Sequence, residues 1–176
     1  MKSIGTTALH TDRLYLRKLR KSDAAELFNA GILGDTLAEA EEAVANMIRD
    51  NDDPLNFHWA IEYEGKAVGR VKAWEVSIRD SYAQLGYDIG QAYRSLGLMT
   101  EAVRAVVRYL LTEAVFNRVY CVVRKNNIPS IRVCEKAGMT NEGVMRKHFA
   151  DGEVFVDALI FGILASDLQQ DFIERT

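Results

Sequence analysis

The stretch Gln91-Ala92-Tyr93-Arg94-Ser95-Leu96-Gly97-Leu98-Met99-Thr100-Glu101-Ala102 decides the fold, because a glycine-bearing turn within it opens into a long amphipathic helix. Behind the turn, Leu98 or Met99, Ala102, Val103, Val106, Val107, Leu110 and Leu111 recur at the three-and-four spacing of one buried helix face, with Glu101, Arg104 and Arg108 opposite. Ahead of it, Leu85-Gly86-Tyr87-Asp88-Ile89-Gly90 reads as a strand, so the order is strand, turn, helix. Backbone N–H groups at a helix start lack internal partners and sit at the positive end of the helix dipole. A phosphate suits such a corner.

Two better-known phosphate turns are excluded. No Gly-Lys-Ser or Gly-Lys-Thr follows a Gly-x-x-x-x run, and Arg94 to Met99 does not supply Gly-x-Gly-x-x-Gly. What remains, Arg94-x-x-Gly97-x-Met99, resembles the pyrophosphate-binding signature of the GNAT acetyltransferases, Gln/Arg-x-x-Gly-x-Gly/Ala, with Met99 departing from it. Downstream, Asn127-Ile128-Pro129-Ser130 and Glu135-Lys136-Ala137-Gly138-Met139 resemble the second signature of that family. Thr11-Asp12-Arg13-Leu14-Tyr15-Leu16-Arg17, Thr100-Glu101-Ala102, Phe116-Asn117-Arg118-Val119 and Glu142-Gly143 with Arg146 are similar to the ribosomal-protein (RimJ/RimL-like) branch. The resemblance covers residues 11 to 165.

The 176 residues, 48% hydrophobic and 27% charged, suggest a single domain over 1–176 with a substantial core. A net charge of -3 and a pI near 5.7 argue against a nucleic-acid partner, which calls for a basic stripe. Arg108 and Glu113 interrupt the apolar run from Ala105 to Phe116, and the N-terminus lacks an apolar signal core, so we expect no membrane association and a cytoplasmic location. Cys121 and Cys134 fit free buried thiols better than a disulfide, and no Cys/His cluster has metal-ligand spacing.

In chain order, Arg13 to Leu19 alternates as a first strand, and Ser22 or Asp23 is placed to cap a short helix. Gly31 and Gly34 punctuate, and Leu37, Ala40, Val44 and Met47 or Ile48 mark a second helix ending before Asp50-Asn51-Asp52-Asp53-Pro54. Glu39, Glu41, Glu42, Asp50, Asp52 and Asp53 make this region acidic, either as a solvated face or as a surface drawing a basic substrate. Phe57 to Tyr63, a turn at Glu64-Gly65-Lys66, Ala67 to Ser77 and Ser81 to Ile89 read as three consecutive strands. Arg118 to Arg124 reads as a strand buried on both faces, and the Asn127 helix has Pro129 in its first turn and Gly138 past its end. A last hairpin runs from Thr140 to Ala150, turns at Asp151-Gly152 and returns from Glu153 to Leu164. The expected class is α/β (α+β), a mixed twisted sheet of about seven strands with helices on both faces, the order of the GNAT fold.

The resemblance implies an N-acetyltransferase that uses acetyl-CoA, with no metal, and direct attack of a primary amine on the thioester in a ternary complex. Backbone amides among Ser95, Leu96, Gly97, Leu98, Met99 and Thr100 would hold the pyrophosphate with charge from Arg94, provided the Met99 side chain points into the core. The pantetheine arm would lie along the strand carrying Tyr87 and Ile89, with Asn127 on its other side. Many relatives place a tyrosine acid where this chain has Cys134, so the resemblance passes that role to Ser130. The usual glutamate bases are replaced by Gln84 and Phe149, leaving His148, Asp88 and Asp157, of which His148 has the right intrinsic pKa.

A weak base has a consequence for the acceptor. At pH 7 an α-amine of pKa ~7.8 is ~15% neutral and a lysine of pKa ~10.4 is ~0.04% neutral, a gap of roughly 3.5 kcal/mol. The expected acceptor is therefore a protein N-terminus, of ribosomal-protein type. The rivals are a small-molecule amine such as a polyamine, amino acid or antibiotic, a catalytically weak acetyl-CoA-binding module, and a purely structural domain. A homodimer, common among relatives, stays open.

Overall fold

The computed structural model describes residues 5–50, 53 and 55–168. Its elements are β1 (Leu9–His10), β2 (Tyr15–Arg17), α1 (Asp23–Asn29), α2 (Leu37–Asp50), β3 (Phe57–Tyr63), β4 (Lys66–Ser77), β5 (Tyr82–Ile89), a 3₁₀ turn (Gln91–Tyr93), α3 (Leu98–Thr112), β6 (Arg118–Arg124), α4 (Ile128–Lys136), β7 (Thr140–Asp151) and β8 (Val154–Leu164). The strands form one sheet in the order β1-β2-β3-β4-β5-β6-β8-β7, eight rather than about seven because the short β1 pairs with β2 through Leu9↔Leu16 and His10↔Tyr15. Every pairing is antiparallel except β5 with β6, whose parallel sense requires the crossover that α3 supplies.

The two faces of the sheet are covered unequally. On one, α3 and α4 bury Val103, Val106, Leu110 and Cys134 against Leu16, Trp59, Val71, Leu85, Val119 and Phe161. Truncating Leu110, which is 0% exposed, to alanine would cost ~2–5 kcal/mol in transfer and cavity terms. On the other, α1 and α2 place Leu27, Ala40, Val44 and Met47 over Ala60 of β3 and Ala67 of β4. That leaves side chains of β5, β6 and β8 on this face to line a cleft instead of a core.

Several expectations change. β6 alternates instead of being buried on both faces: Val119, Cys121 and Val123 are buried, whereas Tyr120 and Val122 are half-buried and face the cleft. Neither Ser22 nor Asp23 caps α1 with its side chain; Asp23 is drawn to Arg17, whose Nη1 and Nη2 donate to its two oxygens at 2.8 and 2.9 Å, and it also accepts from Arg20 N. The Arg17 Nε donates to Glu62 at 2.6 Å, and the bonds it donates to Asp23 hold this buried guanidinium well above its ordinary pKa despite its desolvation. Helix α2 runs through Asp50 rather than stopping before it; of the break expected after it, Asn51, Asp52 and Pro54 lie outside the described residues. Both cysteines are free and buried, as expected. None of the described helices is long and apolar enough to cross a membrane.

Candidate active site

Strands β5 and β6 pair over only part of their length. The rungs are Tyr82↔Arg118, Ala83↔Val119, Gln84↔Tyr120 and Leu85↔Cys121, after which β5 continues to Ile89 with its β6-facing edge outside the ladder. Beyond Ile89, Gly90 N–H donates to Val68 O at 2.9 Å and the chain makes one 3₁₀ turn. Arg94 is extended, Ser95 takes a left-handed φ of 62°, and Gly97 sits at the helix N-cap with φ 80°, the region that favours glycine. Gly97 offers no capping side chain, and among the described residues no side-chain acceptor is seen for the amides at the start of α3. Leu98 and Met99 are 1% and 7% exposed; the Met99 side chain enters the core, so the departure from the glycine signature does not obstruct the turn.

Arg13 braces the turn, a role for which the sequence offered a resemblance but no assignment. Its Nη1 donates to Leu96 O at 2.9 Å, and its Nη2 lies 3.4 Å from where a Cβ on Gly97 would stand. Glu101 holds Arg13 in place: Oε1 accepts from Thr11 Oγ1 at 2.6 Å and Arg13 N at 2.9 Å, and Oε2 accepts from Arg13 Nε at 2.8 Å. Burial alone would raise the Glu101 pKa, but these bonds outweigh it and lower the carboxyl below its usual range. The exposed Arg94 and the half-exposed Arg13 therefore flank an uncapped helix start, an arrangement that fits a diphosphate.

Across the divergence of β5 and β6, α4 begins at Asn127, whose Oδ1 accepts from Ser130 N at 3.3 Å. Asn127 is thus a helix cap, with its Nδ2 left to donate elsewhere. Tyr87, on the free part of β5, reaches α4: its hydroxyl donates to Ser130 O at 3.1 Å and lies 2.9 Å from Ser130 Oγ and 3.2 Å from Cys134 Sγ. Having one proton, the phenol that donates to the carbonyl accepts from the serine or the thiol. Burial, then the neighbouring thiols, push the Tyr87 pKa well above its ordinary value; the bond to Cys134 and burial push Cys121 up likewise. The Tyr87 phenol therefore stays protonated where the strands part, while the hydrogen bond with Cys121 outweighs burial and holds the Cys134 thiol below its ordinary value.

The uncovered face carries a cleft of about 380 Å³ lined by Glu75, Tyr82, Gln84, Arg118, Tyr120, Val122, Met145, His148 and Ile160. His148 and Gln84 belong to it; Asp88 and Asp157 do not. Asp88 pairs with Arg70 at 2.9 Å, and Asp157 accepts from Lys147 N at 3.0 Å, fixing a bulge between Met145 and Phe149 that carries His148. A larger depression of about 490 Å³, beside Arg146, Lys147 and Asp157, touches neither the turn nor the parting strands. Glu75 went unremarked in the sequence, because alternation gave no sign that β4 bulges between Trp74 and Ser77 with Glu75 at φ 49°. The Tyr120 hydroxyl donates to Glu75 Oε2 at 3.1 Å, and burial together with this bond raises the phenol to about 12.

Comparison with known proteins agrees with this geometry. Residues 13–140 match the model of the acetyltransferase (GNAT) domain family. The "Probable N-acetyltransferase YjcK" of Bacillus subtilis (strain 168) is 33% identical over 123 residues, covering 69% of this chain and 67% of the relative. The spermidine N(1)-acetyltransferase of Escherichia coli (strain K12) is 25% identical over 147 residues, covering 78% and 79%. Among solved structures, Mycobacterium smegmatis RimJ in complex with CoA-disulfide superposes with a TM-score of 0.83 over 95% of this chain and 90% of RimJ, at 19% identity, which speaks to the fold. With an uncapped, arginine-flanked helix start beside two parting strands, the chain belongs to the GNAT family and is an acetyl-CoA-dependent N-acetyltransferase.

Proposed function

We propose that the acceptor is the α-amine of a polypeptide N-terminus, of the ribosomal-protein kind, bound in the cleft on the uncovered face. The observation that carries this is the charge inventory of the cleft. Among its lining residues Glu75 is the sole carboxylate, and Arg118 is the cation, itself paired with Glu142. One ammonium finds a partner there; the second and third ammonium groups of a polyamine would meet Arg118 in place of another carboxylate. The tyrosine rings of Tyr82 and Tyr120, edge to face at 5.9 Å, add an apolar wall suited to a peptide. The spermidine enzyme among the relatives is the rival.

Roles follow for the chain's own groups. Amides from Ser95 to Thr100, with Arg94 and Arg13, bind the diphosphate. The unpaired edge of β5 from Tyr87 to Ile89 and the Nδ2 of Asn127 receive the amides of the pantetheine arm. When bound, acetyl-CoA supplies an activated acyl group on a good leaving thiol. Ser130, oriented by Tyr87, offers its hydroxyl to the departing sulfur, and holding amine and acyl donor on opposite sides of one parting point carries much of the acceleration. His148 lines the acceptor cleft, but among the described residues no hydrogen bond orients its ring, which rests edge-on against Phe149 at 4.7 Å. Acetylation rates on an N-terminal peptide and on spermidine decide the acceptor: the peptide is expected to react faster, and a faster polyamine reaction would overturn this reading.

A further inference from the structure

We propose that Glu75 is the catalytic proton acceptor of this enzyme and that Tyr120 is its positioning residue. The inference rests on the reading of the cleft as the amine site, and it starts from the backbone. In a regular β4, residue 75 would continue the alternation of Val71 and Ala73, which face the core; the bulge between Trp74 and Ser77 breaks that alternation and turns Glu75 into the cleft. A non-glycine residue held at φ 49° carries local strain that regular pairing would have avoided.

The carboxylate is then aimed. Trp74, its chain neighbour, pairs with Gln84 of β5, and Gln84 pairs in turn with Tyr120 of β6, whose hydroxyl donates to Glu75 Oε2 at 3.1 Å. The next rung, Leu85 with Cys121, is the last before the strands part. Tyr120 is itself fixed, with the Tyr82 ring at 5.9 Å and the Arg118 guanidinium 5.5 Å from its ring centre. Because the phenol stays protonated, it donates and does not compete for protons, leaving the second carboxylate oxygen open to the amine.

The other groups in the cleft do not serve. Gln84 has no basic atom, Arg118 is a cation already committed to Glu142, and His148, exposed like Glu75, has no orienting hydrogen bond among the described residues, whereas Glu75 has the one from Tyr120. In the reaction the amine nitrogen bonds to the acetyl carbon as the carbon–sulfur bond breaks with its electron pair going to sulfur. The ammonium sheds two protons in all: one passes to Glu75 and on to water, and the other ends on sulfur, which leaves as a thiol.

The test uses Glu75→Gln in the full chain, assayed on whichever amine of a panel of peptides, amino acids and spermidine the wild type turns over fastest. A preference for spermidine would thus overturn the α-amine reading without touching Glu75. Glu75→Gln is expected to lower kcat about 100-fold, the usual contribution of a positioned base, while coenzyme A affinity measured by calorimetry stays within about twofold. The affinity of the same amine for the cofactor-free protein is expected to fall severalfold, and Glu75→Ala is expected to recover part of its rate with added formate. Tyr120→Phe is expected to lower kcat about tenfold with little change in KM. A kcat within about threefold of wild type, a loss confined to KM, or an unchanged affinity for the amine would overturn the proposal; a loss of about 100-fold in His148→Gln with Glu75→Gln near wild type would move the role to His148.

Discussion

The two sides of the point where β5 and β6 part are built by different means. The corner proposed for the cofactor consists of the backbone of consecutive residues, Arg94 to Thr100, steadied by an ion pair between Arg13 and Glu101. The cleft proposed for the acceptor is lined by side chains brought from β4, β5, β6, β7 and β8, with bulges at Glu75 and at Lys147–His148 setting their aim. A backbone site tolerates side-chain variety, as Met99 shows by pointing inward, and fails only when a residue disturbs the turn itself. A side-chain site can be retuned one residue at a time, so acceptor choice is free to vary while the cofactor stays the same.

The sharpest way to break this contrast is at Gly97. Gly97→Asp forces a left-handed φ on a residue with a Cβ, at ~1–2 kcal/mol, and places a carboxylate at the diphosphate corner. We expect coenzyme A affinity to fall at least ~1,000-fold, or ~4 kcal/mol, in calorimetry, and Gly97→Ala, which adds only the backbone strain, to fall ~10-fold. Ser130→Ala tests the seam between the two sides. It should lower kcat ~10-fold with the KM for acetyl-CoA unchanged, the outcome expected of the proposed role on the leaving sulfur. A rise in KM alone would place Ser130 on the cofactor side.

Asn127→Ala removes the cap of α4 and is expected to cost ~1 kcal/mol in urea unfolding. A loss of cofactor affinity beyond that would show its Nδ2 at work on the arm. The smallest effect concerns pH. Glu101 has a folded pKa below its unfolded one, so its stabilisation is present above the unfolded value and is lost as pH falls through the folded value. With Arg13 44% exposed, solvent screening holds the effect to ~1 kcal/mol or less, read as a flatter dependence of Glu101→Gln stability on pH below about 5 than that of wild type.

The strand, turn and helices around Gly97 and Asn127 were legible in the sequence because their information is local: a strand, a glycine, a helix face and a downstream Asn-Ile-Pro-Ser run each occupy a few consecutive residues. The same holds for strand bounds such as Phe57–Tyr63 and Arg118–Arg124, which fall where alternation and apolar content place them. The cleft was not legible, since both bulges are made by non-glycine residues, Glu75 and Lys147, and nothing in the chain marks a glutamate or lysine for left-handed φ. Tyr120 and Val122 made β6 look buried on both faces, although they line a cleft that only the third dimension creates. Asp23 was read as a cap because local rules favour it there; the buried charge of Arg17, six residues earlier, claimed it instead.

The most direct measurement is a calorimetric titration of coenzyme A into the wild-type protein, Gly97→Asp and Glu75→Gln side by side. Saturable binding to wild type and Glu75→Gln with none to Gly97→Asp is the predicted result. Equal affinity in all three, or no binding to wild type, would contradict the assignment of the α3 corner to the diphosphate.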